Sequence, residues 1–436
     1  MLGFGTDGVR GEALTQLTPT FVRTLGSAAS RVLLGDTIIV GRDTRESGPE
    51  LQRAFAQGCA AEGVTVRDLG VVPTPAVAWL CAADDLPGAM LSASHNPWQD
   101  NGVKLFASRG RKLSDSDQDA IQSLLDNSEM IDDSPPIEPT VVAGSIERYV
   151  DSVVDSVGGR SFGNRTVVLD SANGSASVTA ATIFERLGAK VVSLADQPDG
   201  RNINAGVGST HPEFLQAAVL KHRASVGFAF DGDADRIAAV GADGTIIDGD
   251  RIIAMSAIDR RDRGALAKNT VVITVMANLG FRVSMDTEGI DMVETPVGDR
   301  YVLEALDAGG FSLGGEQSGH VIHRDLATTG DGVLTAVQLF DAAIRRGVDV
   351  GDWAASVMSR YPQVLQNVPV PSKIPDLSKL LADAVATEEA TLGSSGRVLI
   401  RESGTEPLVR VMVEAAEADI AAESAARLVA EVKKLV

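Results

Sequence analysis

The sequence predicts an α/β protein built as three related α/β domains followed by a small α+β domain. Three observations lead there. At 436 residues the chain exceeds one ordinary hydrophobic core and points to about three or four domains. One pattern, strand, glycine-bearing loop, helix, glycine stop, strand, occurs three times, and that grammar marks units with parallel strands. After the proline-bearing stretch 362–375 the order changes to helix, strand, strand, helix, which suits an α+β tail.

Taken in order, the opening GTDGVRG sets three glycines around Arg10, a tight backbone that can present the guanidinium to an anion. Leu17, Phe21, Leu25 and Ala28 recur at helical spacing and predict a helix over 18–34. The first unit then reads as a strand at 37–40, the polar loop GRDTRESG, a helix over 51–62 stopped by Gly63, and a strand at 65–68. The second has strands at 166–170 and 190–194 around SANGSAS and a helix over 178–187 that Gly188 ends. The third has a strand at 270–275, MANLG opening a helix across 281–287, and an extended segment at 291–294. Ligands in such sheets sit beyond the carboxyl ends of the strands, so the polar loops are expected to share a cleft. The low-apolar stretch 126–139 reads as a linker, and the proline-bearing 362–375 as a second. Beyond it come a helix over 377–389, strands RVLIR and 408–414, and a helix over 419–435.

Composition narrows the function classes. Hydrophobic residues make up 44% and charged ones 22%, so the chain folds rather than staying disordered. A net charge of −20 argues against nucleic acid or an anionic membrane as partner, and an anionic substrate would need a locally basic pocket. Two cysteines, Cys59 and Cys81, in apolar or small-residue settings disfavour a disulfide scaffold or a zinc site. No charged leader precedes an apolar core and no apolar run reaches about 18 residues, so the expectation is a cytoplasmic protein that does not cross a membrane.

Four motifs carry chemistry. In LSASHNPWQDNGVKLF, Ser94 is expected on an exposed, rigidly aimed turn, with Asn101 and Gly102 reversing the chain toward Lys104; His95 and Lys104 supply proton-handling or positive groups. Alone, this stretch suits a turn-rich surface loop equally well. In DGDADR, after an apolar strand, Asp231, Asp233 and Asp235 alternate on a loop bent by Gly232 and can converge on one hard cation. A calcium loop of the EF-hand kind is excluded, because its sixth and twelfth positions hold Arg236 and Ala242. In GGEQSGH, after a strand expected at 310–313, Glu316 and Ser318 would point the same way if extended and offer hydrogen bonds to sugar hydroxyls or an amine, with His320 next in series. In RESGTEP, Arg401, two hydroxyls, a glycine and the later Arg410 make a cage for a phosphate that does not react.

GTDGVRG, SASHNP with DNGVK, DGDADR, GGEQSGH and RESGTEP, in that order over essentially the whole chain, resemble the α-D-phosphohexomutase superfamily. The opening, PVGDRYV at 296–302, TTGDG at 328–332 and the ending RESGTEPLVRVMVE are most similar to its bacterial amino-sugar branch. The chain departs from the frequent DGDGDR by carrying Ala234, which is not a ligand position. The resemblance implies mixed sheets and four domains around a central cleft, with boundaries expected at 1–150, 151–250, 251–362 and 363–436, the last TBP-like. It implies Ser94 as phosphoserine, with Asp231, Asp233, Asp235 and that phosphate holding Mg²⁺. Glu316 and Ser318 would read the sugar, and Arg401, Ser403, Gly404, Thr405 and Arg410 would grip the distal phosphate. Arg10, His95, Lys104, Arg236 and His320 would surround the reacting phosphate, with Lys104 or His320 moving the proton. The implied reaction interconverts glucosamine 6-phosphate and glucosamine 1-phosphate through a 1,6-bisphosphate, primed by glucosamine or glucose 1,6-bisphosphate, on the route to UDP-N-acetylglucosamine and cell-wall precursors. Mutases of glucose or mannose phosphate, and a metal-dependent serine phosphatase, are the alternatives; a homodimer is implied by resemblance alone.

Overall fold

Four sheets, each from its own stretch of chain, carry the architecture. The computed structural model describes residues 2–5, 8–127, 140–141, 144–372, 374–403 and 407–435. Contacts divide the chain into one unit of Met1–Met276 with Ile290–Val357 and another of Ala277–Gly289 with Met358–Val436.

The first sheet holds β1 (Val9–Glu12), β2 (Thr37–Arg42), β3 (Thr65–Val71), β4 (Gly88–Leu91), β5 (Asp100–Ala107), β6 (Arg111–Lys112) and β7 (Thr140–Val141), in the order β1-β5-β4-β2-β3-β7 with β6 on β5. The predicted unit is present: β2 and β3 are parallel and the helix Gly48–Ala61 connects them. Ile38, Ile39 and Val40 are all buried, as a parallel strand covered on both faces requires. Thr18 caps the helix Pro19–Val32, its side chain accepting from the Phe21 N–H. The helix Thr74–Asp84 has no counterpart among the predicted elements, because TPAVAWLCAAD is apolar nearly all round and shows no period. Asn101 and Gly102 do not turn the chain. They lie inside β5, opposite Gly11 and Arg10 of β1, and the reversal comes earlier, where Asn96 N–H donates to Ala93 O and Asp100 N–H to Pro97 O. Cys59 and Cys81 are buried free thiols, and burial pushes the Cys59 thiol up to about 12. The predicted linker at 126–139 opens inside the helix Asp115–Asn127; its residues from 128 on lie outside the described residues.

The second sheet runs β12-β11-β10-β8-β9, from β8 (Thr166–Asp170), β9 (Lys190–Leu194), β10 (Val226–Phe230), β11 (Ile237–Gly241) and β12 (Ile246–Ile247). β8, β9 and β10 are parallel, while β11 returns antiparallel, so DGDADR is a hairpin loop. The third sheet runs β14-β13-β15-β16, from β13 (Thr270–Thr274), β14 (Asp291–Thr295), β15 (Leu313–Gly315) and β16 (Val321–His323). The strand expected at 310–313 starts only at Leu313, because Gly310, at φ 64°, ends the helix Asp299–Gly309.

The other unit holds an antiparallel sheet, β17-β19-β18, from β17 (Gln363–Pro369), β18 (Gly396–Glu402) and β19 (Leu408–Ala415), with the helices Ala382–Leu392 and Ala418–Lys433. Half of the linker expected at 362–375 is therefore an edge strand, whose Pro369 closes it where no ladder donor is needed. The helix Leu279–Glu288 belongs to this unit and is fixed by the fully buried Glu414, which accepts from Asn278 Nδ2 (3.0 Å), Leu279 N–H (2.9 Å), Gln363 Nε2 (3.0 Å) and Arg397 Nε (3.0 Å). Glu414→Gln leaves the shape and removes the charge, and is expected to cost about 2 kcal/mol in denaturant unfolding of this unit. The α/β class with mixed sheets and a closing α+β unit is the one the sequence predicted.

Candidate active site

Ser94 sits in the hairpin loop between β4 and β5 at φ 54°, a left-handed conformation that a residue with a Cβ holds only when its surroundings fix it. It is not the exposed hydroxyl that the turn residues predict: Ser94 is 1% exposed and donates from Oγ to Asp231 Oδ2 at 2.6 Å. Its N–H donates to Ser92 Oγ (2.9 Å), and its carbonyl accepts from Arg45 Nη2 (2.9 Å) and Asn204 Nδ2 (2.9 Å). His95 Nδ1 lies 3.3 Å from Ser94 Oγ. Burial first, then the charges of Arg236 and Arg10, push this imidazole down to about 4, so it is neutral at neutral pH.

Asp231, Asp233 and Asp235 are all buried, and their ligand oxygens lie within 4.8 Å of one another. Lys104 Nζ spans Asp233 Oδ2 (2.8 Å) and Asp235 Oδ2 (2.9 Å), while Thr74 Oγ1 donates to Asp233 Oδ2 (2.6 Å) and Arg236 N–H to Asp231 Oδ1 (3.1 Å). Burial, then the charges of Asp233 and Asp235, hold the Asp231 carboxyl well above its usual range. Asp235 is held well below it: burial opposes this, but Lys104, His320 and Arg236 together prevail. Asp233 Oδ1 is buried with no hydrogen-bond donor among the described residues, and Asp235 Oδ1 faces His320 Nδ1 at 3.6 Å. An all-oxygen donor set with unshared buried oxygens fits a hard divalent cation such as Mg²⁺. Ala234, the departure from glycine, is fully buried at φ 61°, and its carbonyl accepts from Gly332 N–H at 3.0 Å.

The segment 316–320 is a turn, not the extended strand on which Glu316 and Ser318 would share a face. Gly319 N–H donates to Glu316 O and Glu316 N–H to His320 O, both at 2.9 Å. Ser318 is exposed, whereas Glu316 is half-buried with Oε1 accepting from Gly298 N–H at 3.0 Å. Gly319 has φ 88°, and a Cβ there would lie 2.0 Å from Ile237 O, so only glycine lets this loop rest on the carboxylate hairpin. Arg236 and His320 bridge the two loops. The buried His320 lies 3.6 Å through Nδ1 from Asp235 and 3.6 Å through Nε2 from Asp299. Burial acts to lower its pKa, but Asp235, Asp299 and Glu316 raise it above the ordinary histidine value. Lys112 pairs with Asp299.

TTGDG forms the floor beneath His320: a Cβ on Gly330 would lie 2.4 Å from His320 Nε2. Asp331 caps the helix Gly332–Arg346, accepting from Leu334 N–H (2.9 Å) and from Tyr149 OH (2.9 Å). Burial pushes its carboxyl up to about 6. A carboxyl whose folded pKa exceeds its unfolded value loses stability as pH rises between the two, here from about 4 to about 6. Asp331→Asn removes the charge and keeps the acceptor for Leu334 N–H, while its Nδ2 faces the Tyr149 hydroxyl as a donor, so that hydroxyl must turn to accept. Its stability relative to the parent is expected to be about 3 kcal/mol more favourable at pH 8 than at pH 4, read by denaturant titration.

In the first unit the fold thus brings together Ser94, His95, Lys104, Asp231, Asp233, Asp235, Arg236 and His320, with Arg10 on β1 and Glu316 acting through their charges. In the other unit, Arg401 and Arg410 are paired across β18 and β19. Burial, then the charge of Arg410, lowers the Arg401 pKa, so this surface favours an anion. Ser403 is buried and its N–H donates to Leu408 O at 2.9 Å. Gly404 and Thr405 lie outside the described residues. Thr74, Asp299, Lys112, Arg45 and Asn204 join the site without having been singled out as site residues. Asp299 stands in PVGDRYV and Arg45 in GRDTRESG, but nothing in their local spacing marks a role.

Family profiles described as phosphoglucomutase/phosphomannomutase alpha/beta/alpha domains I, II and III match residues 1–132, 147–244 and 248–361, and the C-terminal domain of the same family matches 365–431. The phosphoglucosamine mutase of Thermobifida fusca is 50% identical over 98% of this chain and 96% of its own. That of Streptomyces griseus is 48% identical over 99% and 98%. Among solved structures, a phosphoglucomutase/phosphomannomutase family protein of Burkholderia thailandensis superimposes with a TM-score of 0.81 at 25% identity, covering 99% of this chain and 97% of that one. Aspergillus fumigatus N-acetylphosphoglucosamine mutase, solved with GlcNAc-6P and magnesium, shares the fold with a TM-score of 0.72 at 18% identity over 100% of this chain and 96% of that one. The chain belongs to the phosphoglucosamine mutases, isomerases of the phosphoglucomutase/phosphomannomutase family.

Proposed function

We propose that the protein interconverts glucosamine 6-phosphate and glucosamine 1-phosphate in the cytoplasm, with Ser94 as the phosphoryl carrier, on the route to nucleotide-sugar and cell-wall precursors. The observation that carries this reading is the buried Ser94 Oγ, 2.6 Å from Asp231 and beside carboxylate oxygens that have no donor among the described residues. In the forward half-reaction the bond from Ser94 Oγ to phosphorus breaks and a bond forms to the free sugar hydroxyl, whose proton passes to Lys104 or His320 in its neutral form. The resulting 1,6-bisphosphate turns over, and its other phosphate returns to Ser94. Asp231, Asp233 and Asp235 with a phosphate oxygen carried on Ser94 would hold Mg²⁺, which when bound neutralises charge on the transferring group.

Arg10, Arg236 and the neutral His95 orient that group. Glu316 and Ser318 read the sugar, and Arg401, Ser403, Gly404, Thr405 and Arg410 take the phosphate that is not reacting. The same fold in Aspergillus fumigatus accommodates GlcNAc-6P with magnesium in one structure and glucose 1,6-bisphosphate in another, which supports a hexosamine phosphate substrate and a bisphosphate primer. The test is intact-mass analysis after exposure to Mg²⁺ and glucose 1,6-bisphosphate, followed by turnover of glucosamine, glucose and mannose phosphates. Phosphate on Ser94 and preference for the amino sugar are expected; stoichiometric release of inorganic phosphate would instead mark a phosphatase.

A further inference from the structure

We propose that Arg45, oriented by Asp43 and assisted by Ser92 and Asn204, is a positioning group for the phosphoryl carrier: it locks both peptide planes beside Ser94 so that Oγ faces the carboxylates. This rests on the reading of Ser94 as carrier. Arg45 follows β2, far from the loop in sequence, and is the largest fully buried side chain among the described residues. Its five N–H donors meet five oxygens. Nη2 donates to Ser94 O and Asn96 O (2.9 Å each), Nη1 to Asp100 O (2.8 Å) and Pro97 O, and Nε to Asp43 Oδ2 (2.8 Å).

Asp43 does more than neutralise that charge. Its Oδ1 accepts from the Arg45 N–H (3.1 Å), and its Oδ2 accepts from Ser92 Oγ (2.6 Å), the same oxygen that receives the Ser94 N–H (2.9 Å). Asn204, from the stretch between β9 and β10, adds a second donor to Ser94 O (2.9 Å) and Asn96 O (3.1 Å). The backbone on both sides of the Ser94 Cα is therefore held by buried side chains, and the remaining rotation about its Cα–Cβ bond is set by the Oγ contact with Asp231 Oδ2. A left-handed serine needs such over-determination, and phosphoryl transfer is a reaction in which placement dominates. An ordinary stabilising role explains the arrangement less well, since a buried ion pair adds little net stability on its own.

Arg45→Lys is the discriminating variant, because a point-like ammonium with three donors cannot serve five oxygens spread around a planar fork. With Mg²⁺ and glucose 1,6-bisphosphate as the probe, the rate of phosphate loading onto Ser94 and kcat are both expected to fall about 100-fold in folded Arg45→Lys protein, with KM for the sugar phosphate within about threefold. Ser92→Ala is expected to slow loading about 10-fold. A merely structural residue would lower yield and Tm while leaving kcat per folded molecule intact, and that result overturns the proposal. If Arg45→Lys does not fold, Ser92→Ala and Asn204→Ala decide: loading at the parent rate in both overturns it. Parent protein that takes up no phosphate on Ser94 removes the carrier reading and the clamp with it, whereas equal loading of parent and Arg45→Lys removes the clamp alone.

Discussion

Ser94→Ala is expected to lower mutase turnover by about 10⁴-fold or more while leaving the protein folded. The hydroxyl is the only group the substitution removes, and Ala93 beside it shows that a methyl side chain is tolerated in this loop. Asp231 loses the donor at 2.6 Å, a modest cost because its carboxyl is already biased toward the protonated form by burial and by its two acidic neighbours. The measurement is interconversion of the two glucosamine phosphates after full exposure to bisphosphate, with circular dichroism to confirm folding. Turnover within tenfold of the parent would show that phosphate travels by another route.

Lys104→Ala has the second largest expected effect, and it acts on stability as well as rate. Lys104 is 5% exposed and is the buried cation shared by Asp233 and Asp235. Deleting it strands like charges in a low-dielectric site, and breaking a buried ion pair from one side costs about 3–5 kcal/mol. The same deletion takes the ammonium away from Oδ2 of both carboxylates, leaving Thr74 Oγ1 as a donor to Asp233 Oδ2, and opens the pair to a metal. Magnesium is therefore expected to raise the Tm of Lys104→Ala by more than it raises that of the parent, while turnover stays about 100-fold low. Equal Tm shifts in the two proteins would mean that lysine and metal do not compete for these oxygens.

Local chemistry made part of this site legible. DGDADR announces its carboxylate cluster because alternate acids on a glycine-bent loop have one sensible arrangement, and the hairpin between β10 and β11 supplies it. The hydroxyl of SASHNP was recognisable for its turn residues, but its burial was not. The side chains that enclose it stand 49 residues away at Arg45 and 110 away at Asn204, and short-range patterning carries no trace of such pairings. Serine on a turn therefore read as exposed. In GGEQSGH the strand assumption misled, since Gly319 permits a tight turn that separates Glu316 from Ser318. The proline-bearing stretch before the last unit misled for a physical reason: proline blocks inner strands, yet an edge strand such as β17 accepts it at its end. The helix Thr74–Asp84 escaped because burial on all sides erases the amphipathic period.

Ala234 has a consequence for how ready the acidic hairpin is to hold a cation. A methyl group at φ 61° costs the folded loop about 1 kcal/mol, but it also denies the loop most of the wandering that glycine would permit. The three acids are thus presorted before any cation arrives, and less disorder remains to be frozen at the moment of capture. The small distortion would thereby lower the ordering cost of binding a divalent cation at these three acids.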